Sequence, residues 1–224
     1  MAGPVANKII LPLDTANTGK NVRTQTRVVG SDTVHEHFFV KNRLAAILGV
    51  YRLAMAQQAI LATAHDGTTT AFLWFHVPIG NSGKKVRVRK IVIDSESSTA
   101  LVTLSAPRIV ISRITFTGTA SGTQLTPVKL DSAFPTPVAD LRTAYTGLSV
   151  TLVGSLASAG ICNALTAVGQ SIFGPFDLIN SPEEDDYIVL ASGEGLAIWQ
   201  ELNGTTSDTR KVGITIVWDE IDTA

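Results

Sequence analysis

The chain has 224 residues, enough for one domain of moderate size or two small ones. Its 18 Lys+Arg against 19 Asp+Glu leave a formal net charge of -1, which excludes a global field drawing it to nucleic acid or to a membrane surface. Only 17% of residues are charged, against roughly 25% in an average soluble domain, and a surface that poor in charge suits a subunit covered by its neighbours.

In chain order, residues 1–20 read as an extended N-terminal arm. Gly3, Pro4, Pro12, Asn17 and Gly19 interrupt a short apolar patch, Ile9-Ile10-Leu11, which could form an edge strand or dock onto a neighbouring subunit. The start lacks the apolar core of a secretory signal. From residue 21 to residue 224 the pattern predicts a single β-sandwich domain. Asn21 to Val29 alternates, Gly30-Ser31-Asp32 is a turn signal, and Thr33 to Val40 resumes in strand-like residues, so the two segments predict a hairpin.

Leu44 to Ala64 is ambiguous. Its alanines and leucines favour helix, while the alternation of Leu53, Met55, Gln57, Ala59 and Leu61 favours strand, and the surrounding architecture tips the reading to two strands broken at Gly49. Ala71 to Val77 is a compact aromatic strand closed by Pro78, Gly80, Asn81 and Gly83. Further strands are predicted at Val86–Asp94, Arg108–Thr117, Leu148–Val153, Tyr187–Leu190, Leu196–Glu201 and Val212–Trp218. Regularly spaced Gly, Pro, Asn, Asp and Ser clusters between them favour a sandwich or barrel. The longest uncharged stretch, Thr143 to Phe176, is broken by Asn163, Gln170, glycines and hydroxyl residues. It predicts a pair of strands buried on both faces or pressed against another subunit, and no membrane span.

Candidates for chemistry are few. The one cysteine, Cys162, permits no intrachain disulfide and no Cys-based zinc site, and its apolar setting predicts an inert thiol. His35-Glu36-His37 puts two imidazoles on one strand face, which could bind a metal if His65 with Asp66, or His76, supplied a further ligand; ordinary hydrogen-bonded histidines explain the pair as well. No Gly-x-Ser-x-Gly elbow occurs, since Gly154-Ser155-Leu156 does not complete one. Gly80-Asn-Ser-Gly-Lys-Lys85 superficially resembles a phosphate loop, but only two residues separate its glycines, so it reads as a hairpin turn.

Two charged clusters are candidate partner contacts. Glu183, Glu184, Asp185 and Asp186 form an acidic loop that lacks the ligand spacing of an EF-hand. Lys85, Arg87 and Arg89 share one strand face, opposite Val86 and Val88, and could face solvent or meet an acidic surface such as a neighbour's 183–186 loop. No cofactor and no metal is assigned. Trp74, Trp199 and Trp218 sit in predicted strands with apolar neighbours and are expected in the core.

The two ends carry a resemblance. Leu11-Pro-Leu-Asp-Thr-Ala-Asn-Thr-Gly-Lys-Asn-Val-Arg-Thr-Gln-Thr-Arg-Val-Val-Gly30 with Thr33-Val-His-Glu-His-Phe-Phe-Val40 opens the chain. Gly193-Glu-Gly-Leu-Ala-Ile198 and Val212-Gly-Ile-Thr-Ile-Val-Trp-Asp-Glu220 close it. These segments, about a quarter of the chain, resemble the ends of small jelly-roll virion structural proteins of tailed bacteriophages. The resemblance implies an antiparallel jelly-roll-like β-sandwich that decorates or cements the head shell, and no chemistry. It implies major capsid or tail proteins as partners, a homo-oligomer of three or more copies, no specific nucleic acid and no membrane. It implies a place in the virion, assembled in the host cytoplasm. The alternative is a tail-associated or receptor- or carbohydrate-binding jelly-roll module.

Overall fold

A computed structural model describes residues 23–29, 32–38, 47–97, 107–160, 171–180, 187–204 and 210–222. The chain divides into two compact units, the first within residues 1–44 and the second within residues 45–224. In the first, β1 (Arg23–Val29) pairs antiparallel with β2 (Asp32–Phe38), in a register that sets Val29 against Asp32, as the alternation and turn signal predict. The arm expected over residues 1–20 lies outside the described residues.

The second unit is an all-β sandwich of antiparallel strands, as expected. Its elements are β3 (Ile47–Ala59), β4 (Leu73–His76), β5 (Lys84–Ser97), β6 (Arg108–Ser121), β7 (Val128–Lys129), β8 (Asp140–Arg142), β9 (Thr146–Gly160), β10 (Ser171–Asn180), β11 (Ile188–Leu190), β12 (Glu194–Gln200) and β13 (Arg210–Asp222). One sheet has the order β10-β5-β13-β3-β7, with β11 also paired to β5; the other has the order β8-β4-β12-β6-β9. The chain passes from sheet to sheet as it goes, so each sheet is built from segments far apart in sequence. Among the described residues there is no helix, hence none long and apolar enough to cross a membrane.

Alternation explains the burial. In β3, Tyr51, Leu53 and Met55 point into the core while Arg52, Ala54 and Ala56 point out, so period-two patterning overrides the helix propensity of the alanines. The strand runs unbroken through Gly49, which corrects the expected break. A Cβ on Gly49 would fall 2.3 Å from the Tyr51 hydroxyl, so the missing side chain makes room for the ring. That hydroxyl donates to the Pro135 carbonyl at 3.0 Å. In β5 the buried positions run Val86, Val88, Ile91, Ile93: the spacing widens once because a bulge inserts a residue between the Trp218↔Val88 and Val217↔Lys90 pairs.

The centre of the core is aromatic. Trp218 of β13, fully buried, packs on Tyr51 and Phe75 with ring centroids 5.7 and 5.1 Å away. Residues 77–83 link β4 to β5 and therefore cross between the sheets, so the turn around Gly80 is not a hairpin; Lys84 N–H closes it on the Asn81 carbonyl at 3.1 Å. The second strand expected within Thr143–Phe176 is β10, which runs on through Gly174-Pro175 to Asn180. A register shift between Phe173 and Phe176 absorbs the proline, and β10 lies at a sheet edge, where a missing N–H is tolerated.

Candidate assembly surface

Several predicted site residues lie outside the described residues: Ile9, Ile10, Leu11, Cys162 and the acidic loop Glu183, Glu184, Asp185 and Asp186. For His35 and His37 only the backbone of β2 is described. Lys85, Arg87 and Arg89 fall on the outer face of the six-stranded sheet, with Val86 and Val88 buried beneath. The structure adds a partner that sequence reasoning missed. Asp219 of β13, paired in register with Arg87 and fully buried, accepts from Arg87 Nε at 2.6 Å and Nη2 at 2.9 Å, and from Arg89 Nε at 2.7 Å. The Tyr187 ring stands 5.3 and 5.6 Å from the two guanidinium carbons. Arg87 and Arg89 are therefore tied down within the chain. The only sequence hint was an acid where alternation placed an outward residue opposite arginines.

The strongest cluster of titratable groups surrounds His76. The imidazole is buried, its Nε2 lies 3.7 Å from Asp140 Oδ2, and its Nδ1 has no hydrogen-bond partner. Asp140 is held by Arg142, whose Nε and Nη2 donate to it at 3.0 and 2.9 Å. A cavity of about 110 Å³ lined by His76, Asp140, Phe116 and Ile79 adjoins the cluster. Among the described residues no group of three or more His, Cys, Asp and Glu could hold a metal ion.

Burial holds the His76 pKa below its usual value, with Asp140 opposing and Arg142 reinforcing the shift. Burial likewise lowers His65, against the pull of Asp66; its Nδ1 accepts from the Gln200 N–H at 3.2 Å. The folded state thus binds fewer protons than the unfolded chain. Stability from these groups is intact above the unfolded histidine value of about 6.5 and is lost as pH falls from there toward the folded values. Denaturant titrations at successive pH steps between neutral and mildly acidic should show this fall, and the double variant His65→Asn/His76→Gln should flatten it. An equal slope in wild type and variant would refute the assignment.

A long exposed feature is β9. It is 15 residues long, carries no charge and no proline, and forms one edge of the five-stranded sheet. Bulges set Val153 and Leu156 outward at 61% and 45% exposure. Of the two expectations for this stretch, burial on both faces is overturned for β9, because the strand sits at a sheet edge with β6 as its one ladder neighbour among the described residues. Gly118 and Gly147, at φ +95° and +83°, let the two strands approach: a Cβ on Gly118 would fall 2.2 Å from the Gly147 carbonyl oxygen.

Beside this edge runs a groove of about 350 Å³ lined by Thr68, Thr69, Tyr145, Leu148, Ser149 and Val150. Its wall is fixed by Asp66, which accepts from the N–H groups of Thr68, Thr69 and Thr70 at 2.8, 2.7 and 2.8 Å. Burial pushes the Asp66 carboxyl up, but these bonds and one from the Thr69 hydroxyl outweigh it and hold it below the usual carboxylate range. Tyr145 packs edge-on against Trp74 at 4.4 Å and donates to the Thr68 carbonyl.

A second, wider hollow of about 540 Å³ lies on the outer face of the six-stranded sheet, between Arg52, Lys90, Asp94, Asp177 and Val217. Lys90 and Asp177 are paired across it at 3.0 Å. The tryptophans are not displayed: Trp74 and Trp218 are buried, and Trp199 is half-buried with Nε1 donating to Ser112 Oγ at 3.0 Å. No protein-family model matches the chain, and comparison with curated proteins finds no match.

Proposed function

We propose that this chain is a non-enzymatic structural subunit of a tailed-bacteriophage virion, a head decoration or cement protein that binds neighbouring virion proteins and further copies of itself. The observation that carries the assembly role is β9, a long uncharged edge strand with none of the charges or prolines that keep isolated sheet edges apart. The low charged share of 17% points the same way. The strand orders support a jelly-roll reading: β3, β13, β5 and β10 in one sheet and β4, β12, β6 and β9 in the other interleave as two Greek keys do. The resemblance at the chain ends supplies the virion setting. Binding to major capsid or tail proteins would be adhesive, through strand addition and apolar contact, with no cofactor.

Immunogold labelling of gradient-purified particles with antibody to this chain tests the proposal. Dense label over the head is the expected result. Label confined to the tail would move the subunit there, and no label together with absence from the particle proteome would overturn the reading. The groove beside Tyr145, rimmed by threonine and serine hydroxyls, favours a carbohydrate-binding module as the second reading. Glycan-array binding abolished by Tyr145→Ala would promote it.

A further inference from the structure

We infer that the open edge of β9 pairs with β9 of a second copy, antiparallel about a two-fold axis through Val150; this rests on the assembly reading above and names its partner. The backbone fixes which groups are free. Phe116 N–H donates to the Gly193 carbonyl at 3.1 Å, toward β12, so it does not bond β9. Its register partner Val150 therefore turns its N–H and C=O to the open side, and by antiparallel alternation so do Leu148 and Leu152, paired with Gly118 and Ile114. Among the described residues nothing pairs with that side.

With the axis at Val150, Val150 meets Val150 of the second copy, and Leu148 of each copy meets Leu152 of the other. Each pair exchanges both backbone bonds. The stretch from Leu148 to Leu152 is regular, lying between the register shifts on either side of it, so it can pair without distortion. Their side chains would extend the apolar layer that Val150 and Leu152 already form with Trp74, Ile114 and Ala197. The exposed Ser149 and Thr151 would face each other across the axis.

The choice of a second copy follows from charge. A strand that meets itself across a two-fold axis sets every ionised side chain near its own kind, so self-pairing demands a neutral strand. All 15 residues of β9 are neutral. The other apolar candidate, Ile9-Ile10-Leu11, is followed at once by Pro12, which lacks a donor, and is flanked by Lys8 and Asp14. A two-fold contact of this kind can link rings of three or more copies into closed assemblies.

The test uses the full chain. In a Cys162→Ser background, Val150→Cys should give a disulfide-linked dimer on mild oxidation, because paired Cα atoms about 5.5 Å apart lie within disulfide reach. In analytical ultracentrifugation, Ser149→Lys/Thr151→Lys should weaken self-association at least tenfold. Mixing that chain with Ser149→Asp/Thr151→Asp should restore it, a readout that misfolding would not give. A wild-type chain that sediments as a monomer at every concentration would overturn the pairing. So would association with no Val150→Cys cross-link, or a cross-link of Val150→Cys to Ile10→Cys instead. These last two leave the virion reading standing, whereas absence from labelled particles removes that reading without touching the pairing.

Discussion

Trp218→Ala is expected to cost about 3–5 kcal/mol, the usual range for emptying a large aromatic from a packed core. Trp218 sits where the two sheets meet, against Tyr51 of its own sheet and Phe75 of the other. None of these rings reaches solvent, and the walls are strands tied into ladders on both sides, so the cavity cannot collapse cheaply. For a unit of this size the loss corresponds to a drop in Tm of roughly 6–20 °C. Trp199→Phe is the contrast. It keeps most of the ring and loses the bond to Ser112, so about 1 kcal/mol is expected. Denaturant unfolding of both variants gives the comparison, and similar small losses for the two would mean that Trp218 does not organise the core.

Glu220→Ala should be nearly as damaging for a different reason. The carboxylate is buried and accepts from the Val138 N–H at 2.7 and 2.9 Å and from the Ala139 N–H at 3.0 Å. It thereby pins the segment that carries the chain from β7 in one sheet to β8 in the other. Removing it leaves two backbone donors without this acceptor, at about 1–3 kcal/mol each, so a loss of about 2–6 kcal/mol is expected. Glu220→Gln keeps one oxygen and should lose less. It also has a second readout: burial, and then the Glu220 charge, push the Tyr51 phenol up to about 12. Neutralising residue 220 should bring the phenol down part of the way in a spectroscopic titration. An unchanged tyrosine titration would show that the carboxylate does not act on the ring.

The strands that alternate cleanly were legible in the sequence because burial on one face leaves a period-two mark. That mark identified β1 and β5, whereas the surrounding architecture tipped β3 to strand against its helix propensity. What alternation does not encode is which strand lies beside which. β9 reads in sequence as an apolar run fit for burial, and only its place in the strand order makes it an exposed edge. The Asp219 clasp was hidden for the same reason, since Arg87 and Asp219 meet only through the register of β5 with β13. Bulges were hidden as well: an unshifted ladder is all that alternation encodes, and β10 passes Pro175 by a shift of register.

The strand order also sets when this protein can fold. β13 lies between β5 and β3, and β12 lies between β4 and β6. Both middle strands come from residues 194–222, later in the chain than every strand they join. Until the ribosome has released them, β3 and β5 have no mutual contact in the ladder, and neither do β4 and β6. The growing chain can zip β6 to β9, or β5 to β10, but neither sheet can be completed. Assembly of the sandwich is therefore a late, concerted event with long loops to close, slow by the standards of chains of its length. During that wait its apolar strands stand open to chaperones and to other nascent copies.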